Sequence, residues 1–248
     1  MDQETGAPRR TLGRMRLLDS GRDADVYAAG DALVLRTYRA GGDVAGEAAI
    51  MRHVGRHGFP VPEVHGAGGR DLWLERLHGP TMLLAVTRQE LTHTEAGGVL
   101  ADLHRRLHAV PGRIVHLDLH PANVMMTPRG PVVIDWRNAR SGPPDLDVAL
   151  TALILAQVAV DPEHPARTVA REILPAFVAA APPLGELDAA VEMRRADPNV
   201  TATEVADLSR AVRLIRVDLA VVHGANSAEP PKKASTTARS TRRVGGAS

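Results

Sequence analysis

The chain has 248 residues, 44% of them hydrophobic, enough for one mid-sized domain or two small lobes around a buried core. Its 30 basic and 29 acidic residues leave a formal net charge of +1, which gives no general electrostatic reason to bind nucleic acid or an anionic membrane. Cysteine is absent, excluding disulfides and thiolate metal sites, and aromatics make up only 2%, so Leu, Val, Ile and Ala must build the core.

Residues 1–10 are polar and lack the apolar centre of a signal peptide, so a cytoplasmic location is expected. Within 12–39, short apolar runs flank a turn-like stretch at 19–25, and Val26-Tyr27-Ala28 and 32–38 read as strands joined by Ala29-Gly30-Asp31. Asp43 suits a helix N-cap, and the helix is expected to run to about His57, before Gly58. Its apolar stripe holds Ile50, Met51 and Val54, and Glu47 falls on the same stripe. An inward carboxylate needs a partner, and Arg36 on the preceding strand is the best placed. Two more strand-like runs follow 59–62, and the second, 71–77, leads into His78-Gly79-Pro80. This marks a boundary between a β-rich first lobe (1–77) and a helical second lobe (78–223).

Residues 91–110 carry Val99, Leu100, Leu103, Leu107 and Val110 at helical spacing and stop before Pro111-Gly112. Further helices are expected around 148–160, 166–180, 186–195 and 202–223. The run 148–160, broken by Thr151 and Gln157, is too short to span a bilayer and reads as a buried helix. Residues 224–248 lack apolar periodicity and read as a disordered basic tail.

Between these helical regions stands the most informative stretch, His116-Leu117-Asp118-Leu119-His120-Pro121-Ala122-Asn123, followed closely by Val132-Val133-Ile134-Asp135-Trp136. Pro128 suits the second position of a tight turn and Gly130 its end, so 124–134 should close as a hairpin that brings Asn123 near Asp135. A histidine, two aspartates and an asparagine gathered in this way are what phosphoryl transfer needs: one carboxylate to accept a hydroxyl proton, another carboxylate and an amide oxygen to hold Mg²⁺. A rival reading takes His104 and His108, one turn apart on a helix, with His116, Asp118 and His120 as a metal-dependent hydrolase site. Pro121 argues against the regular strand that this would require.

The order of these parts over residues 15–160 resembles the aminoglycoside phosphotransferase family, small-molecule kinases that share the protein-kinase fold. The strongest elements are His-x-Asp-x-x-x-x-Asn at 116–123, Ile134-Asp135-Trp136, and Asp145-Leu146-Asp147-Val148-Ala149. The resemblance implies an α+β, two-lobed fold, with a small antiparallel sheet and one main helix in the first lobe and a catalytic hairpin in the second. It implies Mg²⁺-dependent transfer of the γ-phosphoryl group of ATP to a hydroxyl of a small molecule. Carried over, Asp118 is the catalytic base, Asn123 and Asp135 are Mg²⁺ ligands, and His116 and Asp147 brace the loop. Ser20 and Gly21 fall in a shortened phosphate-covering loop, and Glu75 to Leu77 match the hinge whose backbone binds adenine. Read without the family, 20–25 is equally a plain hairpin turn and Asp147 a helix N-cap.

The family normally places a lysine on the third strand, paired with the helix glutamate and touching phosphate. Here Arg36 holds that position with Glu47, and no lysine precedes Lys232. Arginine keeps the charge but is bulkier and planar, so a catalytically weak or inactive nucleotide-binding module is the alternative. Glu186, Asp188, Glu192, Asp197, Glu204 and Asp207 in the second lobe lean toward a cationic acceptor such as an aminoglycoside or amino alcohol.

Overall fold

The structure, a computed structural model, describes residues 15–21 and 23–226, and for 222–226 the backbone only. Residues 1–10 and 227–248, read above as a polar start and as most of a basic tail, lie outside the described residues.

The first lobe is a five-stranded antiparallel sheet with one helix. Strands β1 (Arg16–Ser20), β2 (Ala24–Ala28), β3 (Leu33–Tyr38), β4 (Val64–Gly68) and β5 (Asp71–Glu75) lie in the order β1-β2-β3-β5-β4. Asp19 pairs with Val26 and Ser20 with Asp25, so the ladder extends into the turn expected over 19–25. The polar side chains of Asp19, Ser20 and Asp25 conceal a ladder made by the backbone alone. Between β3 and β4, helix α1 (Val44–Arg56) starts where Asp43 accepts the Gly46 N–H at 2.8 Å. Its inner face buries Val44, Glu47, Ala48, Met51 and Val54.

The chain then crosses to the helical lobe through Gly79, whose φ of 139° is open to glycine. A Cβ there would stand 1.9 Å from the Met126 carbonyl oxygen, so this crossing demands glycine. The short α2 (Met82–Thr87) was not expected from sequence, since six residues are too few to show a period. The helix read over 91–110 is α3 (His93–His108), started by a reciprocal cap between Thr92 and Glu95.

Strand β6 (Ile114–Val115) pairs with β9 (Arg140–Ser141), and β7 (Val124–Thr127) with β8 (Gly130–Val133). The remaining chain is α4 (Pro144–Val160), α5 (Arg167–Ala180), α6 (Leu187–Ala196) and α7 (Ala202–Asn226). Helix α4 begins at Pro144, four residues before the expected start, because proline suits the first helical position, where no N–H is required. It packs against α5, α6 and α7 and is buried on nearly every side, which explains its almost continuous apolar sequence. Among the described residues no helix is long and apolar enough to cross a membrane. Helix α7 carries on through 224–226, residues read above as the start of the tail.

Helices α3 and α5 approach closely at Gly97, where a Cβ would lie 2.6 Å from the Phe177 nitrogen and 2.7 Å from the Ala176 Cβ. Gly97→Ala gains about 1 kcal/mol of helix propensity but overpacks a backbone contact, at a cost of about 1–3 kcal/mol. The melting temperature of Gly97→Ala should therefore fall below that of the parent; a rise in a thermal melt would show that the helices separate freely.

Candidate active site

Two short antiparallel pairings frame one loop. Val115 pairs with Arg140, and Val124 with Val133, while the Ile134 N–H donates to the Asn123 carbonyl at 3.0 Å. Residues 116–123 and 134–139 are thereby held side by side, the approach expected from the hairpin.

Asp147 stands beneath this loop. It is fully buried in the first turns of α4, not at the N-cap position, so the N-cap reading of this residue is corrected. Its Oδ1 accepts the Leu117 N–H at 2.6 Å, and its Oδ2 accepts the His116 N–H at 3.1 Å and His108 Nε2 at 3.0 Å. Burial opposes its charge, but the His104 and His108 rings beside it, with His116, outweigh burial and hold the carboxyl far below the usual carboxylate range. Leu117 consequently sits at φ 64°, a left-handed conformation that a leucine adopts only when its surroundings dictate it. With Leu117 and Leu119 both packed into the core, Asp118 between them is the partly exposed residue.

Three groups meet at the loop surface. Asn123 Nδ2 donates to the Asp118 carbonyl at 2.9 Å and to its carboxylate at 3.2 Å. Burial chiefly, and the Asp135 charge next, push the Asp118 carboxyl up to about 7, against Arg194 and Asn123, which lower it. Asp135 has φ 63°, which aspartate tolerates. His116 donates from Nε2 to the Ile134 carbonyl at 3.1 Å and packs edge-on against Trp136, and burial keeps its ring neutral.

From the first lobe, Arg36 reaches both Glu47, at 3.4 Å, and Asp135, at 2.6 Å. Burial opposes its charge, but Asp135, Tyr38 and Glu47 together stabilise it. Tyr38 donates to Glu47 Oε2 at 2.5 Å, and its ring lies under the Arg36 and Arg137 guanidiniums at 4.9 and 5.2 Å. Burial leaves the Glu47 carboxyl raised, with Arg36 and Tyr38 opposing. Arg137 pairs with Asp23 at 2.9 Å, which ties the β1–β2 turn to the segment carrying Asp135. Tyr38 and Arg137 were missed in the sequence. Tyr38 left a signal, since strand alternation places it on the face of Arg36; Arg137 left none.

The other expected residues lie at the rim. Ser20 donates to Asp25 at 2.8 Å and Gly21 closes a turn onto the Ala24 carbonyl at 3.0 Å, both exposed. Glu75 makes a two-bond ion pair with Arg129 of the hairpin turn, at 2.6 and 2.7 Å, and Leu77 follows in the crossing segment. A cavity of about 860 Å³ lies between α1, residues 58–65 and β8, and Asp118, Asn123 and Asp135 do not line it.

The five residues of the hydrolase reading do not form one site. His104 and His108 converge on Asp147, whereas His120 Nε2 stands 3.6 Å from Asp118. Of the six acids in the second lobe, Asp197 is the one whose charge acts on Asp118, alongside that of Arg194, which contacts Gln157 and Asp197. Glu192 and Asp207 pair with Arg195 and Arg210, Glu204 accepts the Thr201 N–H, and Glu186 and Asp188 are exposed. Arg194 had no signal in the sequence beyond its charge.

A model of the APH phosphotransferase enzyme family matches residues 14–113 and 75–187. A choline/ethanolamine kinase family protein from Mesorhizobium loti has a similar structure, with TM-score 0.53 and 15% identity, over 89% of this chain and 94% of that one. The amicoumacin kinase hAmiN, in complex with AMP-PNP, Ca²⁺ and Ami, gives TM-score 0.48 at 14% identity, over 82% and 88% of the two chains. The streptomycin–ATP–APH(2")-IIa ternary complex gives 0.47 at 12%, over 82% and 94%. No curated protein sequence matches the chain.

Asp147→Asn puts an amide among donors that need an anion. The expected loss is about 3–5 kcal/mol in chemical denaturation, whereas Asp145→Asn, an exposed change two residues away, should stay within about 0.5 kcal/mol. Equal effects of the two would remove Asp147 from this role.

Proposed function

The chain belongs to the phosphotransferase enzyme family, and on that premise we propose that it transfers the γ-phosphoryl group of ATP to a hydroxyl of a small molecule. The observation that carries this reading is Asp118, held outward on a braced loop, beside Asn123 and facing the Arg36–Asp135 contact. With its carboxyl raised to about 7, Asp118 is a base matched to neutral pH and takes the proton of the attacking hydroxyl.

Asp135 and Asn123 are hard oxygen donors suited to Mg²⁺. One Asp135 oxygen engages Arg36, and the Asn123 amide oxygen accepts no hydrogen bond among the described residues. Bound there, the ion would neutralise phosphate charge. Arg36 adds fixed positive charge from the first lobe, oriented by Glu47 and Tyr38. Residues 1–77 serve as the nucleotide lobe and 78–223 as the catalytic and acceptor lobe, a division supported by the tight crossing at Gly79. Ser20 and Gly21 cover phosphate, and the backbone from Glu75 to Leu77 meets the base.

Asp197 and Arg194 act on Asp118 through their charges and mark the acceptor side, where an aminoglycoside or an amino alcohol would present its hydroxyl. A second reading, nucleotide binding without turnover, is favoured by the direct Arg36–Asp135 pair, which ties up both charges.

Asp118→Asn should lower kcat by about 10²–10⁴-fold while the thermal shift with Mg·ATP persists; turnover like the parent's would discard the mechanism. A base must be deprotonated to act, so kcat/KM should fall with acidification through about 7, a limb read from a pH–rate profile. Arg36→Met should lose about 10²–10³-fold in kcat/KM and Arg36→Lys no more than about tenfold. A parent that binds Mg·ATP yet turns over no acceptor in a panel of amino alcohols, sugars and aminoglycosides would select the second reading.

A further inference from the structure

Below the loop, one histidine has a ring proton assigned by geometry. The Thr151 hydroxyl lies 2.6 Å from the Leu119 carbonyl, and a carbonyl has no proton to give, so the single hydroxyl proton of Thr151 lies between them. Thr151 can then only accept from His104 Nε2, 2.9 Å away, which makes that nitrogen an N–H. His104 is fully buried, and its Nδ1 has no hydrogen-bond partner. Nδ1 faces Asp147 Oδ2 at 3.5 Å.

We propose that His104 is a positioning residue, an Nε2–H donor to Thr151 packed against Asp147. It couples Asp147, which holds the N–H groups of His116 and Leu117, to Thr151, which holds the carbonyl of Leu119. Both flanks of Asp118 are thus tied to one ring. His108, from the same helix, and the His116 N–H, across the loop, reach the same carboxylate. The Phe177 ring of α5 lies 5.7 Å from the His104 ring.

His104, His108 and Asp147 also have ligand atoms close enough to hold a metal ion. Protons account for the donors of His108, His116 and Leu117 at Asp147 without a fourth ligand.

The inference rests on the phosphotransfer reading only for its effect on rate. The first measurement needs no turnover: a long-range ¹H–¹⁵N spectrum of the histidine rings of the full chain, at a pH about one unit above the ordinary histidine value of ~6.5. His104, assigned by the signal lost in His104→Phe, should show Nε2 protonated. An unprotonated Nε2, or one zinc per chain by metal analysis, overturns the proposal. The second measurement is intrinsic Mg·ATP hydrolysis. His104→Phe and Thr151→Val should each lower kcat by about 100-fold with KM for ATP within about twofold, and the double variant should be no worse than either. Folded variants with the parent's kcat overturn the positioning role, and Thr151→Val carries the test where His104→Phe does not fold. A parent without Mg·ATP turnover counts against the phosphotransfer reading, and the ring spectrum then decides the protonation of His104.

Discussion

A buried carboxylate that must be satisfied is the interaction on which the rest of this structure depends. Asp147 has no access to water, and an isolated anion there would be prohibitively costly. Its donors come from two sources: the backbone of 116–117 and the side chains of α3. Meeting that demand forces Leu117 into a left-handed conformation, and the reversal sends Leu117 and Leu119 inward and Asp118 outward. The Asp118 carboxylate is thus presented by packing below it as well as by its contact with Asn123. Helices α3 and α4 are accordingly part of the site, although neither carries Asp118.

A second constraint joins the lobes. The position that usually carries lysine in this family carries Arg36, and the structure uses what a lysine lacks. A planar guanidinium contacts Glu47 and Asp135 at once while standing 4.9 Å over the centre of the Tyr38 ring. The arrangement extends through Arg137 to Asp23, so the β1–β2 turn, α1, β3 and the Asp135 segment form one charged layer. The rise of the Asp118 carboxyl, caused first by burial, is also linked to this layer through the charge of Asp135.

Much of this was legible beforehand. The hairpin between Asn123 and Asp135 followed from Pro128 and Gly130, and the Arg36–Glu47 pairing from one acid on an apolar stripe. The likeness to the aminoglycoside phosphotransferases followed from motif order and is borne out by the family match. Local polarity misled in the first lobe. Asp19, Ser20 and Asp25 suggested a turn but lie in a ladder, because strand pairing uses backbone groups that any side chain leaves free. In the second lobe, most of the acids of 186–207 cap helices or pair with arginines three residues away, a spacing that helix geometry makes common.

The sequence by itself determined which chemical groups are present and which neighbours along the chain hold them: the base and amide at a spacing of five, the second aspartate across one hairpin, and an arginine where lysine is usual. These are set by short-range backbone geometry, which local residues specify. Only the tertiary structure decided what surrounds those groups. That Arg36 touches Asp135, and that His104 and Thr151 stand under the loop, depend on contacts between residues about 30 to 100 apart in the chain. Such contacts arise from how helices and sheet pack together, and no local pattern encodes them.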